Sequence, residues 1–127
     1  MKQTGQSALR VLVIEDETIL AMELEDILED LGHRVVGVAA TVPQATQMIE
    51  TMAHRIDAVV LDANLAGQFA SSIADALAAR NIPYIVASGY GPDDLRASGF
   101  DAPILSKPYH AHEIRDALLT LRRSDAG

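Results

Sequence analysis

The run Ala58–Val59–Val60–Leu61 stops on a carboxylate, Asp62, and this stop constrains the fold more than any other stretch of the chain. Four consecutive apolar residues, two of them β-branched, predict a strand buried on both faces. Such strands belong to parallel sheets covered by helices, with ligands and chemistry just beyond their carboxyl ends. Asp62 stands at that place, and Asn64 and Gly67 after it predict a loop.

The pattern recurs along the chain. Arg10–Val11–Leu12–Val13–Ile14 reads as a second buried strand and also ends on carboxylates, Glu15 and Asp16. Val35–Val36–Gly37–Val38–Ala39, Pro83–Tyr84–Ile85–Val86–Ala87 and Pro103–Ile104–Leu105–Ser106 complete a set of five. The fourth closes on Ser88–Gly89–Tyr90–Gly91 and the fifth on Lys107–Pro108. Helical spacing fills the intervals. Leu20, Leu24, Ile27, Leu28 and Leu31 mark one face of a helix over 17–31, with Gly32 as its stop. Thr41–Val42–Pro43–Gln44 fits a capping box that opens a second helix, with Val42, Ala45, Ile49 and Met52 on its apolar face. A weaker helix is expected over about 70–79. Pro92 to Ala97 has room for about two turns at most. Ile114, Ala117, Leu118 and Leu121 give the last helix its buried face.

Alternating strands and helices predict an α/β fold, a doubly wound five-stranded parallel sheet with helices on both faces. Alternation alone leaves the strand order open. In the flavodoxin-like order 2-1-3-4-5, strands one and three are neighbours, and Glu15, Asp16 and Asp62 meet at the switch point. Like charges that close repel unless a proton or a cation neutralises them. With oxygen ligands and no Cys or His at those strand ends, the cation indicated is Mg2+. The ion would offset charge on a transferring phosphoryl group while Asp62 attacks it. Lys107 supplies a compact positive charge and Ser88 a hydroxyl donor. Together they read as an aspartyl-phosphate site.

Composition removes several alternatives. At 127 residues the chain is long enough for one domain with a real core. A net charge of −8, from 18 acidic and 10 basic residues with no basic cluster, disfavours nucleic acid as a partner. No apolar run approaches the length of a membrane span, and the polar residues 1–8 do not make a signal peptide. The absence of cysteine excludes disulfides and thiolate metal sites and suits the cytoplasm. A nucleotide-binding loop is also excluded, because Glu15–Asp16–Glu17–Thr18 has no glycines and would repel a pyrophosphate.

An acidic pair after strand one, Asp after strand three, Ser after strand four and Lys-Pro after strand five occur here in that order. In this the chain resembles the response-regulator receiver domain of two-component signalling, over residues 8–122, with 1–7 and 123–127 as flexible tails. The resemblance implies that Glu15 and Asp16 hold Mg2+, that Asp62 is the phosphoacceptor and a metal ligand, and that Asn64 gives its backbone carbonyl to the metal. It makes Ser88 the switch hydroxyl and Lys107 the phosphate-binding lysine, with a cis Lys107–Pro108 peptide. It implies a histidine kinase or histidine phosphotransfer protein as phosphodonor, a downstream protein target, and a monomer or weak homodimer. A stand-alone receiver would work as diffusible regulator, relay intermediate or phosphate sink.

The chain departs from the common receiver pattern in places. Ile104 stands where many receivers carry the strand-five aromatic that moves with the switch hydroxyl. Val86–Ala87–Ser88–Gly89–Tyr90 is instead similar to the segment that defines the FAT GUY receivers. Gly89, Gly91 and Gly99, within the 19 positions from Ser88 to Lys107, then suggest a mobile loop whose Tyr90 is the switching element. Two further readings stand beside the receiver. An aspartyl-nucleophile phosphatase or phosphotransferase of haloacid-dehalogenase type would carry a second Asp where Asn64 stands, and a receiver-like binding module would leave Asp62 unphosphorylated. His33, His54, His110 and His112 read as surface or capping residues, the last two on different faces of any helix. Met22, Met48 and Met52 read as packing.

Overall fold

The computed structural model describes residues 8–65, 68–69, 71–88, 102–106 and 110–126; at 64, 65, 68, 69, 88, 106 and 122–126 the description is of the main chain. In chain order the elements are β1 (Arg10–Ile14), α1 (Thr18–Asp30), β2 (Arg34–Ala39), α2 (Val42–Met52), a 3-10 turn (Ala53–Arg55) and β3 (Ala58–Asp62). There follow β4 (Asn64–Leu65), β5 (Gln68–Phe69), α3 (Ser71–Ala79), β6 (Tyr84–Ser88), β7 (Ile104–Ser106) and α4 (Ala111–Ala126).

Five strands form one parallel sheet in the order β2-β1-β3-β6-β7. Since β6 and β7 are its fourth and fifth strands, this is the flavodoxin-like order 2-1-3-4-5. Side chains leave a strand on alternate faces, and the sheet sorts them into two cores. Leu12, Ile14, Val59, Leu61 and Val86 pack with Ile49 of α2 and Ile73 and Leu77 of α3. Val11, Val13, Ala58, Val60 and Ile85 pack with Leu24 and Leu28 of α1 and Ile114 and Leu118 of α4. Helices on both faces explain why β3 is buried at every residue.

Helix ends carry local signatures. Gly32, at φ +93°, closes α1: its N–H donates to Glu29 O and that of His33 to Leu28 O. Asn81, at φ +57°, does the same after α3, where Asn81 N–H reaches Ala78 O and Ile82 N–H reaches Leu77 O. Both are Schellman endings, which need a left-handed residue after the helix. At α2 the Thr41 hydroxyl accepts from Gln44 N–H, as the capping box predicts. The return bond is displaced by one residue: the Gln44 side chain accepts from Ala40 N–H.

Some local expectations change. A two-stranded antiparallel ribbon, β4–β5, stands in the interval after Asp62 where a loop was expected. The main chain of α4 is helical through Ala126, where a flexible tail was expected from 123, because no Gly or Pro interrupts the helix between Leu121 and Ala126. Met22 is 58% exposed rather than packed. The rings of His110 and His112 stack, with centroids 5.9 Å apart and planes within 4°. His110 precedes the helix, so helical face separation does not apply to the pair. Residues 1–7, the Gly89–Tyr90–Gly91 segment, the expected helix at 92–97, Gly99 and Lys107–Pro108 lie outside the described residues.

At the amino edge of the sheet, β1 and β3 are tied by charge. Arg10 Nε and Nη2 donate to Asp57 Oδ2 and Oδ1 at 3.0 and 3.1 Å. Asp57 Oδ2 also accepts from Arg10 N–H at 2.7 Å, and Asp57 N–H donates to Arg10 O. The Asp57 carboxylate raises the Arg10 pKa through its hydrogen bond and its charge.

Candidate functional site

Alternation also decides where the acidic residues go. In β1, Val11 and Val13 face α1 and α4 while Leu12 and Ile14 face α2 and α3, so the next residue, Glu15, turns to the α1–α4 side. In β3, Ala58 and Val60 face α1 and α4 while Val59 and Leu61 do not, so Asp62 turns the same way. Ile14 is the register partner of Leu61, which makes Glu15 and Asp62 the next rung of the same ladder. The like carboxylates stand side by side because the two strands are in register.

Both are buried, Glu15 at 2% and Asp62 at 4% exposure, and Asp16 is half-buried next to them. One carboxylate oxygen from each of Glu15, Asp16 and Asp62 lies within 4.8 Å of the others. Main-chain bonds fix the frame: Glu15 N–H donates to Ala39 O at 2.9 Å, and Ala63 N–H to Ala87 O at 3.0 Å. The Glu15 carboxylate is aimed by Glu17 N–H, which donates to Oε2 at 3.1 Å. Helix α1 starts one residue later, so its positive end lies against the acidic group and offsets part of the negative charge. Glu15, Asp16 and Asp62 all have further polar or electrostatic partners.

Three converging carboxylates, two of them buried, fit a hard divalent cation that prefers oxygen ligands. The other expected site residues are placed less completely. Asn64 opens β4, two residues after Asp62. Ser88 ends β6, one residue beyond Ala87, the register partner of Asp62, and pairs with Ser106 of β7. Lys107 follows Ser106 in the sequence and lies outside the described residues. Ile104, in the aromatic's place, is half-buried against the core on the α2–α3 side.

One feature beside the site escaped the sequence reading. Ile19 is 73% exposed and stands one turn before Met22 on α1, close in sequence to the acidic pair. They are two large apolar side chains left exposed on a helix rich in acidic residues.

Comparison with known proteins identifies the family. The response regulator receiver domain family matches residues 11–119. The transcriptional regulatory protein PdtaR of Mycobacterium tuberculosis is 27% identical over 113 residues, covering 86% of this chain and 54% of PdtaR. The phyllosphere-induced regulator PhyR of Methylorubrum extorquens is 35% identical over 106 residues, covering 80% of this chain and 39% of PhyR. The chain therefore spans about half or less of the length of these curated relatives. The solution structure of SdrG from Sphingomonas melonis is 39% identical, with a TM-score of 0.77, and the match covers 90% of this chain and 96% of SdrG. By sequence, by strand order and by the acidic group at its strand ends, this chain belongs to the response regulator receiver domain family.

Proposed function

We propose that the chain takes a phosphoryl group from a histidine kinase or histidine phosphotransfer protein onto Asp62, and that the modified form changes its contacts with a downstream protein. The observation that carries this reading is the buried, in-register group of Glu15, Asp16 and Asp62. In the transfer, an Asp62 oxygen attacks the phosphorus of a phosphohistidine. The new P–O bond forms as the P–N bond breaks, and the donor ring, already protonated on its other nitrogen, takes the bonding pair and leaves as neutral imidazole. Water later hydrolyses the aspartyl phosphate to inorganic phosphate, so the chain acts on itself rather than on a separate substrate.

Glu15, Asp16, the Asp62 carboxylate and the Asn64 carbonyl would hold Mg2+, which when bound neutralises negative charge on the phosphoryl oxygens. Ser88 is assigned a hydrogen bond to the phosphoryl group once it is attached, and Lys107 the counter-charge. Ile19 and Met22 support a role for α1 in docking the phosphodonor. A donor that brings an imidazole to Asp62 must cover the site's rim, and these two side chains offer it apolar contact. The domain assignment 8–122, the cytoplasm as compartment, and a monomer or weak homodimer belong to the same reading. No described helix is long and apolar enough to cross a membrane.

Intact mass after incubation with acetyl phosphate tests the proposal. One phosphoryl adduct is expected on wild type with Mg2+, and none without Mg2+ or in Asp62→Asn. An adduct that persists in Asp62→Asn would overturn the assignment. Should wild type take up neither phosphate nor a beryllofluoride mimic, the chain acts as a binding module without phosphorylation.

A further inference from the structure

We infer that the β4–β5 ribbon holds the Asn64 main-chain carbonyl ready for the cation, so that ribbon pairing and metal binding reinforce each other. This rests on the metal reading above and assigns it a positioning element. In the ribbon Asn64 pairs with Phe69 and Leu65 with Gln68, with two residues between the strands. Antiparallel pairs alternate between those that exchange both N–H···O bonds and those that exchange none. A two-residue connection closes on a hydrogen-bonded pair. Leu65 and Gln68 are therefore the bonded pair, and Asn64 and Phe69 the open one. It follows that the N–H and C=O of Asn64 point away from β5 and take no part in the ladder.

The Asn64 carbonyl is nonetheless anchored on both sides. Upstream, Ala63 N–H is bound to Ala87 O of the main sheet. Downstream, Leu65 is bound to Gln68. A carbonyl held between two such anchors spares the ion the cost of ordering a loose chain. Coupling of this kind is reciprocal: whatever factor the ribbon adds to cation affinity, the cation returns to ribbon stability.

Gln68→Pro removes the N–H that the Leu65 carbonyl accepts, whereas Gln68→Ala keeps it. Mg2+ titrations of the full chain, followed by amide NMR shifts, should show Gln68→Pro weakened by about three- to tenfold, the worth of one main-chain hydrogen bond, and Gln68→Ala unchanged. In wild type, hydrogen exchange at the Leu65 and Gln68 amides should slow by a similar factor on saturation with Mg2+, a readout that needs no variant to fold. Unchanged affinity in Gln68→Pro, equal weakening in Gln68→Ala, or exchange indifferent to Mg2+ would each overturn the inference. Asp62→Asn separates the two levels. If it binds Mg2+ as wild type does, the metal reading falls and the ribbon's role with it. If it loses Mg2+ while Gln68→Pro does not, the ribbon inference alone fails.

Discussion

Replacing Glu15 by Gln removes one charge from the acidic group and leaves an amide oxygen to accept from Glu17 N–H. Two unit charges 4.8 Å apart, the limiting separation here, repel by about 3.5 kcal/mol at an effective dielectric constant near 20. Glu15 faces two such neighbours, but Asp16 is half-exposed and all three carboxylates have other partners that offset the repulsion. A net gain of roughly 1–2 kcal/mol for the metal-free protein is therefore expected. For a chain of this size that raises the melting temperature by roughly 3–10 °C. Magnesium should act in the opposite sense. At a concentration about a hundredfold above its dissociation constant it should stabilise wild type by about 2.7 kcal/mol, and Glu15→Gln by much less. Thermal denaturation followed by circular dichroism, with and without Mg2+, reads both effects. A variant that melts below wild type without metal, or gains as much from Mg2+, would refute the argument from carboxylate repulsion.

Charge on the apolar pair of α1, in Ile19→Asp or Met22→Asp, should slow phosphotransfer from a histidine kinase by tenfold or more while leaving acetyl phosphate labelling unchanged, which gel-based transfer assays would separate. Peptide mapping after mild peroxide treatment should find Met22 oxidised ahead of the half-buried Met48 and Met52. Gly32→Ala should cost about 1 kcal/mol, and Asn81→Gly should be neutral or stabilising by a few tenths, because both positions are left-handed; urea unfolding measures each. Glu17 caps α1 without a side-chain bond, so Glu17→Ser should stabilise by about 0.5–1 kcal/mol in the same assay.

The strand stops at Glu15, Asp16 and Asp62 were legible because a carboxylate ending an apolar run has few places to go in a parallel sheet. Their meeting required only the strand order, which the register of β1 with β3 supplies. Other features left weaker traces. Two-residue strands such as β4 and β5 carry no periodicity to detect. Ile19 and Met22 fall outside the stripe marked by Leu20, Leu24, Ile27, Leu28 and Leu31, on the opposite face of α1. Helical spacing could have found them had the exposed face been searched for apolar residues as the buried one was. The Arg10–Asp57 pair joins residues 47 apart in sequence, and only strand pairing brings them together.

That pair gives the neighbouring strands β1 and β3 an unequal pair of ends. Glu15 lies five residues after Arg10 and Asp62 five residues after Asp57, on strands that run in register. Opposite charges grip the strands at one edge of the sheet, while like charges push them apart at the other. Between the two ends the main-chain ladder holds the strands at a fixed spacing, so the repulsion is carried as electrostatic strain rather than as a parting of the strands. A cation at the acidic end would relieve that repulsion without having to move the strands.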